Sequence, residues 1–159
     1  MDREINLSLV SFLPEQEPLV RRMKATYRLM QREGLSESGG DSWLRSKSYH
    51  AARLTYQQVL DEATGETFQE ILTARLDPEG IVQALTMKRP SGAFRLEFAP
   101  GKTFVTEYPT PAGLLDVAIR TIELTGRFTE DKVWASLRYE TWLGEDLQGE
   151  TKLEIRGTV

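Results

Sequence analysis

The sequence predicts an all-β protein, an antiparallel meander closed into a barrel of about eight to ten strands. Three observations lead to this fold class. Apolar residues recur at every second position through most of the chain, which is the period of a half-buried strand. Turns rich in Pro and Gly separate these alternating segments. The chain shows no strand–helix–strand alternation, so a parallel sheet is not expected.

Composition limits the functional classes. The chain has 159 residues, which predicts one domain, and its 40% hydrophobic and 28% charged residues are typical of a globular protein. Because there is no cysteine, disulfides, thiolate catalysis and cysteine-based zinc sites are excluded. The N-terminus lacks the pattern of a signal peptide, and no apolar run approaches the ~18 residues of a membrane span. We therefore expect a cytoplasmic protein that does not insert into membranes.

The first third of the chain contains one clear strand and one ambiguous segment. INLSLVSF alternates, with Ile5, Leu7 and Leu9 on one face. Residues 18–33 fit a strand, but they also fit a helix, because Pro18 lies near the start, apolar residues occur at helical spacing and Gly34 follows the end. The sequence leaves this choice open.

The middle of the chain predicts hairpins joined by short turns. FQEILTARL and IVQALTMKR flank DPEG, in which Pro at the second and Gly at the fourth position are typical of a type I turn. PSG and APG then bound the alternating segment AFRLEF.

The last third predicts one bent strand and a two-stranded ribbon. In LLDVAIRTIEL the apolar parity changes, which indicates a β-bulge near Arg120–Thr121. VWASLRYETWL and LQGETKLEIRG both alternate, and GED between them predicts a hairpin turn.

The segment YPTPAG is interpreted as architecture. Pro109 and Pro111 cannot donate ladder hydrogen bonds, and Gly113 permits a turn. We expect them to end a strand over residues 102–108 and to start the bent strand at Leu114.

The residues predict no catalytic machinery, metal site or cofactor. His50 is the only histidine, and neither HExxH nor a nucleotide-binding glycine motif occurs. A hydrolase with a paired carboxylate is the weakest of the alternatives, since the acidic residues fall mainly on polar strand faces and in turns. We therefore expect a protein that is not an enzyme.

Several motifs in order resemble the YwiB-like family of small bacterial proteins of unknown function. They are LTYQQ, RPSG, FAPG, YPTPAG and the closing ribbon LRYETWLGEDLQGETKLEI. The chain departs from the family pattern at Gln57, where a glutamate is expected. The resemblance implies a calycin-type, lipocalin-like β-barrel and no particular reaction.

A barrel of this size can hold one small ligand, or side chains can fill it. We predict a non-enzymatic protein that binds a small apolar or amphipathic ligand in the barrel, or a protein partner at its rim. The candidate ligand-binding residues are polar-tipped residues on apolar strand faces or at strand ends: Tyr56, Arg89, Tyr108, Thr110 and Tyr139.

Two other partners remain open. Residues 19–53 contain eight basic and three acidic residues, a net charge of +5, so RNA is the alternative partner. The sequence pI of about 5.2 makes nucleic acid the less favoured partner. The residues of this alternative site are Arg21, Arg22, Lys24, Arg28 and Arg53. An exposed strand edge could also support a homodimer.

Overall fold

The computed structural model describes residues 2–31, 49–90 and 95–158, with only the backbone described at residues 60, 61 and 108–110. Ten strands occur within these ranges. They are β1 (Asp2–Phe12), β2 (Leu19–Met30), β3 (Ala51–Asp61), β4 (Glu66–Leu76), β5 (Val82–Lys88), β6 (Arg95–Phe98), β7 (Thr103–Thr110), β8 (Gly113–Phe128), β9 (Val133–Leu143) and β10 (Asp146–Thr158).

The ten strands form one antiparallel sheet in the order β6-β5-β4-β3-β2-β1-β10-β9-β8-β7, and the sheet curls into a nearly closed barrel. The described ranges contain no helix, and therefore none long and apolar enough to cross a bilayer. The predicted fold class is confirmed. Within the ambiguous segment, Leu19–Met30 form strand β2, whose neighbours β1 and β3 supply the hydrogen-bonding partners that periodicity alone cannot reveal. Residues 32 and 33 of that segment lie outside the described residues.

Alternation places one face of each strand in the core. In β9, Val133, Ala135 and Leu137 are buried, whereas Trp134 and Arg138 are exposed. The β9–β10 ribbon pairs as the sequence predicts, from Leu143 opposite Asp146 to Val133 opposite Gly157. The inward faces together form a continuous apolar core, whose burial is the main driving force for folding.

The change of parity in β8 is a β-bulge. The β8–β9 register shifts between Thr121 and Glu123, immediately after the predicted position. Ile119 and Thr121 are buried before the shift, and Leu124 is buried after it. The extra residue therefore keeps one face of a 16-residue strand directed at the core while the strand bends.

Thr121 also forms hydrogen bonds at the place where the curled sheet closes. The turn between β6 and β7 packs against it: the Oγ1 of Thr121 accepts a hydrogen bond from the N–H of Ala99 (3.2 Å), and its carbonyl accepts one from Gly101 (3.3 Å). The N–H of Thr121 donates to the carbonyl of Lys102 (3.0 Å). One buried residue of β8 thus connects the turn between the two edge strands, β6 and β7, to the sheet.

The DPEG turn forms a hydrogen bond with Phe128, the last residue of β8. The N–H of Gly80 donates to the carbonyl of Asp77 (3.0 Å), as expected for the predicted turn, and Gly80 in turn accepts a hydrogen bond from the N–H of Phe128 (2.9 Å). Gly80 has φ of +84°, and a Cβ there would lie 2.9 Å from the Phe128 carbonyl oxygen. Only glycine fits this approach without strain.

The YPTPAG prediction was wrong about where the strand ends. Strand β7 continues through Pro109 to Thr110, which pairs with Gly113 across a turn formed by Pro111 and Ala112. Because β7 is an edge strand, a residue that donates no hydrogen bond to the ladder is tolerated there.

We expect Thr121→Val to lower the free energy of unfolding by about 1–2 kcal/mol, because the partly buried N–H of Ala99 loses its acceptor while the side-chain volume is kept. Urea denaturation would measure the change. Thr125→Val, at an exposed position of the same strand, serves as the control and should stay within about 0.5 kcal/mol of the original chain. Equal effects of the two variants would contradict the role of Thr121 in closing the barrel.

Candidate functional site

One end of the barrel is closed by the turn that follows β8. The Tyr27 hydroxyl donates to the carbonyl of Thr129 (2.7 Å), and the Tyr49 hydroxyl donates to the carboxylate of Glu130 (2.5 Å). Arg3 donates to the Glu130 carbonyl (2.6 Å). The turn therefore lies across this end, which we call the closed end, and Tyr27 and Phe128 beneath it are almost fully buried.

The opposite end is less well covered. Here inward-facing apolar residues pack against the core but are only half-buried: Met23, Met87, Leu96, Val117 and Tyr139. They come from the beginnings of β2, β6 and β8 and the ends of β5 and β9, which antiparallel pairing brings together. We call this the open end, since solvent reaches the inner face of the sheet there.

A carboxylate is buried just inside the open end. Glu70 lies on the inward face of β4 in line with the buried Leu72 and Ala74, and its relative exposure is 1%. Its Oε1 accepts hydrogen bonds from the Tyr56 hydroxyl (2.7 Å) and from Nε2 of Gln58 (2.9 Å). Its Oε2 forms an ion pair with Nε of Arg89 (3.2 Å).

Two arginines are attached to this group from the open end. The Arg89 guanidinium lies over the Phe68 ring, 4.1 Å from its centroid. Arg21 donates from NH1 to Oε1 of Gln58 (2.8 Å). The hydrogen bonds thus form a chain from Arg21 through Gln58 and Glu70 to Arg89, which we call the Glu70 network.

Tyr56 remains a hydrogen-bond donor within this network. Burial raises the pKa of the Tyr56 hydroxyl far above its ordinary value of 10.0, and the charge of Glu70 raises it further, whereas Arg89 and Arg21 lower it in part. The two arginines contact neighbouring members of this network, Arg89 at Glu70 and Arg21 at Gln58.

The structure brings together two of the five predicted ligand-binding residues. Tyr56 and Arg89 meet through Glu70. Tyr139 faces inward on β9 and packs on Phe98, with ring centroids 5.0 Å apart, and burial raises the pKa of its hydroxyl. The backbones of Tyr108 and Thr110 pair with β8, but their side chains lie outside the described part of the structure.

Sequence reasoning missed Glu70 and Gln58, and it assigned Arg21 to the nucleic-acid alternative, whereas the structure places Arg21 on Gln58. The signal was a polar residue at an inward position: Glu70 has the parity of the apolar residues of β4, Gln58 that of Tyr56, and Arg21 that of Met23. A polar side chain in such a position is buried or at the barrel mouth, where it needs a partner.

The residues proposed for nucleic-acid binding do not share one surface. Arg22, Lys24 and Arg28 lie on the outer face of β2, with Arg53 opposite Arg28 on β3, whereas Arg21 faces the barrel mouth. Two of the outer residues form ion pairs with strand β1, Lys24 with its Glu4 (3.3 Å) and Arg28 with its Asp2 (3.4 Å). Within the described ranges no group of three or more histidine or acidic residues could hold a metal ion.

Comparison with known proteins agrees with the fold. Residues 44–155 match a family described as a domain of unknown function, DUF1934. The crystal structure of the ywiB protein from Bacillus subtilis is similar, with a TM-score of 0.63 and 19% identity over 99% of this chain and 94% of that chain. None of the curated proteins matches. The resemblance that the motifs indicated is confirmed, and at this identity the structural likeness concerns the fold alone.

We expect Glu70→Gln to lower the free energy of unfolding by about 2–3 kcal/mol, because Arg89 loses its carboxylate and the NH2 of the new amide must face a donor, either Arg89 or the pair Tyr56 and Gln58. Urea denaturation would measure this loss. Glu66→Gln, at the exposed start of the same strand, is the matched control and should change stability by less than about 0.5 kcal/mol. If both variants were equally stable, the network would have no structural role.

The raised pKa of Tyr56 predicts that the protein loses stability at alkaline pH. Because its pKa is raised in the folded chain, the unfolded chain loses this proton first, so the contribution to stability is full below pH 10 and falls above it. The free energy of unfolding, measured by urea at several values of pH, should fall more steeply for the original chain than for Tyr56→Phe, by up to about 1.4 kcal/mol per pH unit. Parallel curves above pH 10 would contradict a buried, protonated hydroxyl.

Proposed function

Because the chain belongs to the DUF1934 family, whose function is unknown, we propose a role from the geometry of its barrel. We propose that it is a cytoplasmic, non-enzymatic protein that binds a small amphipathic ligand at the open end. The observation that carries this proposal is the difference between the two ends, since the turn after β8 covers one and half-buried apolar side chains line the other.

The open end has the composition of a ligand site. Small-molecule sites are mostly apolar, with a few precisely placed polar groups that orient the ligand. Met23, Met87 and Leu96 offer apolar surface, and the Glu70 network supplies fixed polar groups next to them. An amphipathic molecule fits this combination, with its apolar part against the core and its polar part at the arginines.

The network also supports binding rather than chemistry. Each oxygen of the Glu70 carboxylate is already engaged by a donor of the chain, so the carboxylate acts as an anchor for neighbouring side chains. No second carboxylate takes part in the hydrogen bonds and ion pairs of Glu70 in the described ranges. A hydrolase mechanism with paired carboxylates therefore has little support.

A second candidate function is binding of a protein partner at the rim. Strand β8 begins pairing with β9 only at Val117, so residues 113–116 extend past the end of β9 and pair with β7. Leu114 and Leu115 on this extension have relative exposures of 70% and 41%. The two leucines lie on opposite faces of a projecting hairpin, so an exposed apolar side chain is available on each face for a partner that grips the hairpin.

We expect N-phenyl-1-naphthylamine, an uncharged probe that fluoresces in apolar surroundings, to bind the protein at the open end. Val117→Trp should weaken this binding roughly tenfold or more, since an indole at a half-buried inward position occupies the site. Asp116→Trp, the neighbouring exposed position on the other face, should leave the affinity unchanged. Fluorescence titration measures both, after circular dichroism has confirmed that the variants are folded.

Native mass spectrometry of freshly purified protein separates the two candidates. A small-molecule adduct that Val117→Trp reduces would support the ligand site, whereas a protein-sized adduct would support a partner at the rim. Failure of the probe to bind, together with a spectrum free of small-molecule adducts, would overturn the proposed ligand binding.

A further inference from the structure

We propose that Arg21 and Arg89 bind the anionic group of the ligand, so that the open end selects an apolar molecule with a carboxylate or phosphate head. This inference rests on the proposed ligand binding and assigns the chemical class of the ligand. It follows from the partners, charges and surroundings of the two arginines.

Arg21 brings a positive charge to the open end of the barrel. Its guanidinium donates to a neutral amide, the side chain of Gln58, and in the described ranges no acidic side chain lies within ion-pair distance of it. A guanidinium has five N–H donors, and this bond uses one of them. Arg21 is exposed at the mouth of the barrel, where it can contact a molecule that enters.

The Glu70 network contains one carboxylate and two guanidinium groups. By formal charge Glu70 contributes −1 and Arg21 and Arg89 contribute +2, so these three side chains sum to +1. Tyr56 adds no negative charge, because a tyrosine hydroxyl is protonated at neutral pH and burial raises the pKa of this one further. Among the described residues, the Glu70 network therefore has one more guanidinium than carboxylate, on the inner face of an acidic protein.

Neighbouring side chains hold both guanidinium groups in place. The ion pair to Glu70 and the ring of Phe68 fix Arg89 from two sides, and Gln58 holds Arg21. Such prepositioned guanidinium groups bind carboxylate and phosphate strongly, because the cost of ordering the side chains has already been met by the fold.

Apolar side chains lie next to both arginines. Met23 follows Arg21 at the next inward position of β2, and Met87 precedes Arg89 near the end of β5. Apolar neighbours lower the local dielectric constant and so strengthen the attraction between an anion and the arginines. They also provide the contact surface for the apolar part of the same molecule.

A pair of probes tests the inference. 1-Anilinonaphthalene-8-sulfonate differs from N-phenyl-1-naphthylamine by its sulfonate, so the ratio of their dissociation constants isolates the contribution of the anionic group. We expect the sulfonate probe to bind roughly tenfold more tightly, and we expect its advantage to decrease with added salt. Fluorescence titration at low and moderate salt measures both constants.

Two arginine variants localise the effect. Arg21→Gln should remove most of the advantage of the sulfonate probe and leave the affinity of the uncharged probe unchanged. Arg22→Gln makes the same change of charge at the next residue, on the outer face of β2, and should behave like the original chain. Circular dichroism and urea denaturation confirm that both variants are folded.

The outcomes separate this inference from the proposed function. Equal affinity for the two probes, or equal effects of the two arginine variants, would overturn anion binding while ligand binding at the open end stands. Failure of both probes to bind would overturn both. Displacement of the sulfonate probe by decanoate or decyl phosphate but not by decanol would support the inference and would show which head group is preferred, whereas displacement by decanol to the same extent would contradict it.

Discussion

The carboxylate of Glu70 inside the barrel is the constraint on which the rest of the open end depends. A buried charge is stable only when it is paired and its oxygens accept hydrogen bonds. Tyr56, Gln58 and Arg89 supply these partners, and Gln58 in turn positions Arg21. The side chains that satisfy one carboxylate are therefore also those that determine the shape and charge of the barrel mouth.

The curvature of the sheet brings these partners together. Strands β2, β3, β4 and β5 are consecutive neighbours, and their inward positions near the open end carry the residues of the network. The same curvature requires closure, which the bulge in β8 and the hydrogen bonds of Thr121 provide at the opposite side of the wall. One end is sealed by the turn after β8, so the polar network and the half-buried apolar residues share the end that remains accessible.

Local pattern predicted much of the fold and less of the site. Alternation predicted the strands, and the change of parity predicted the bulge in β8, because both depend on neighbouring residues. The choice between helix and strand for residues 18–33 depended on partners from β1 and β3, which are distant in sequence. Local pattern was enough to recognise Tyr56 and Arg89 as polar residues on apolar faces or at strand ends. The network that joins them through Glu70 depends on the register of four strands, which local pattern does not contain.

The central claim is that the Glu70 network presents two arginines to an anion at the open end. The most direct measurement is an NMR titration of the arginine Nε–H signals with 1-anilinonaphthalene-8-sulfonate, with assignments from Arg21→Gln, Arg22→Gln and a third variant, Arg89→Gln. The account predicts saturable shifts of the Arg21 and Arg89 signals and an unchanged Arg22 signal. Shifts confined to Arg22 and other arginines of the outer face would contradict it.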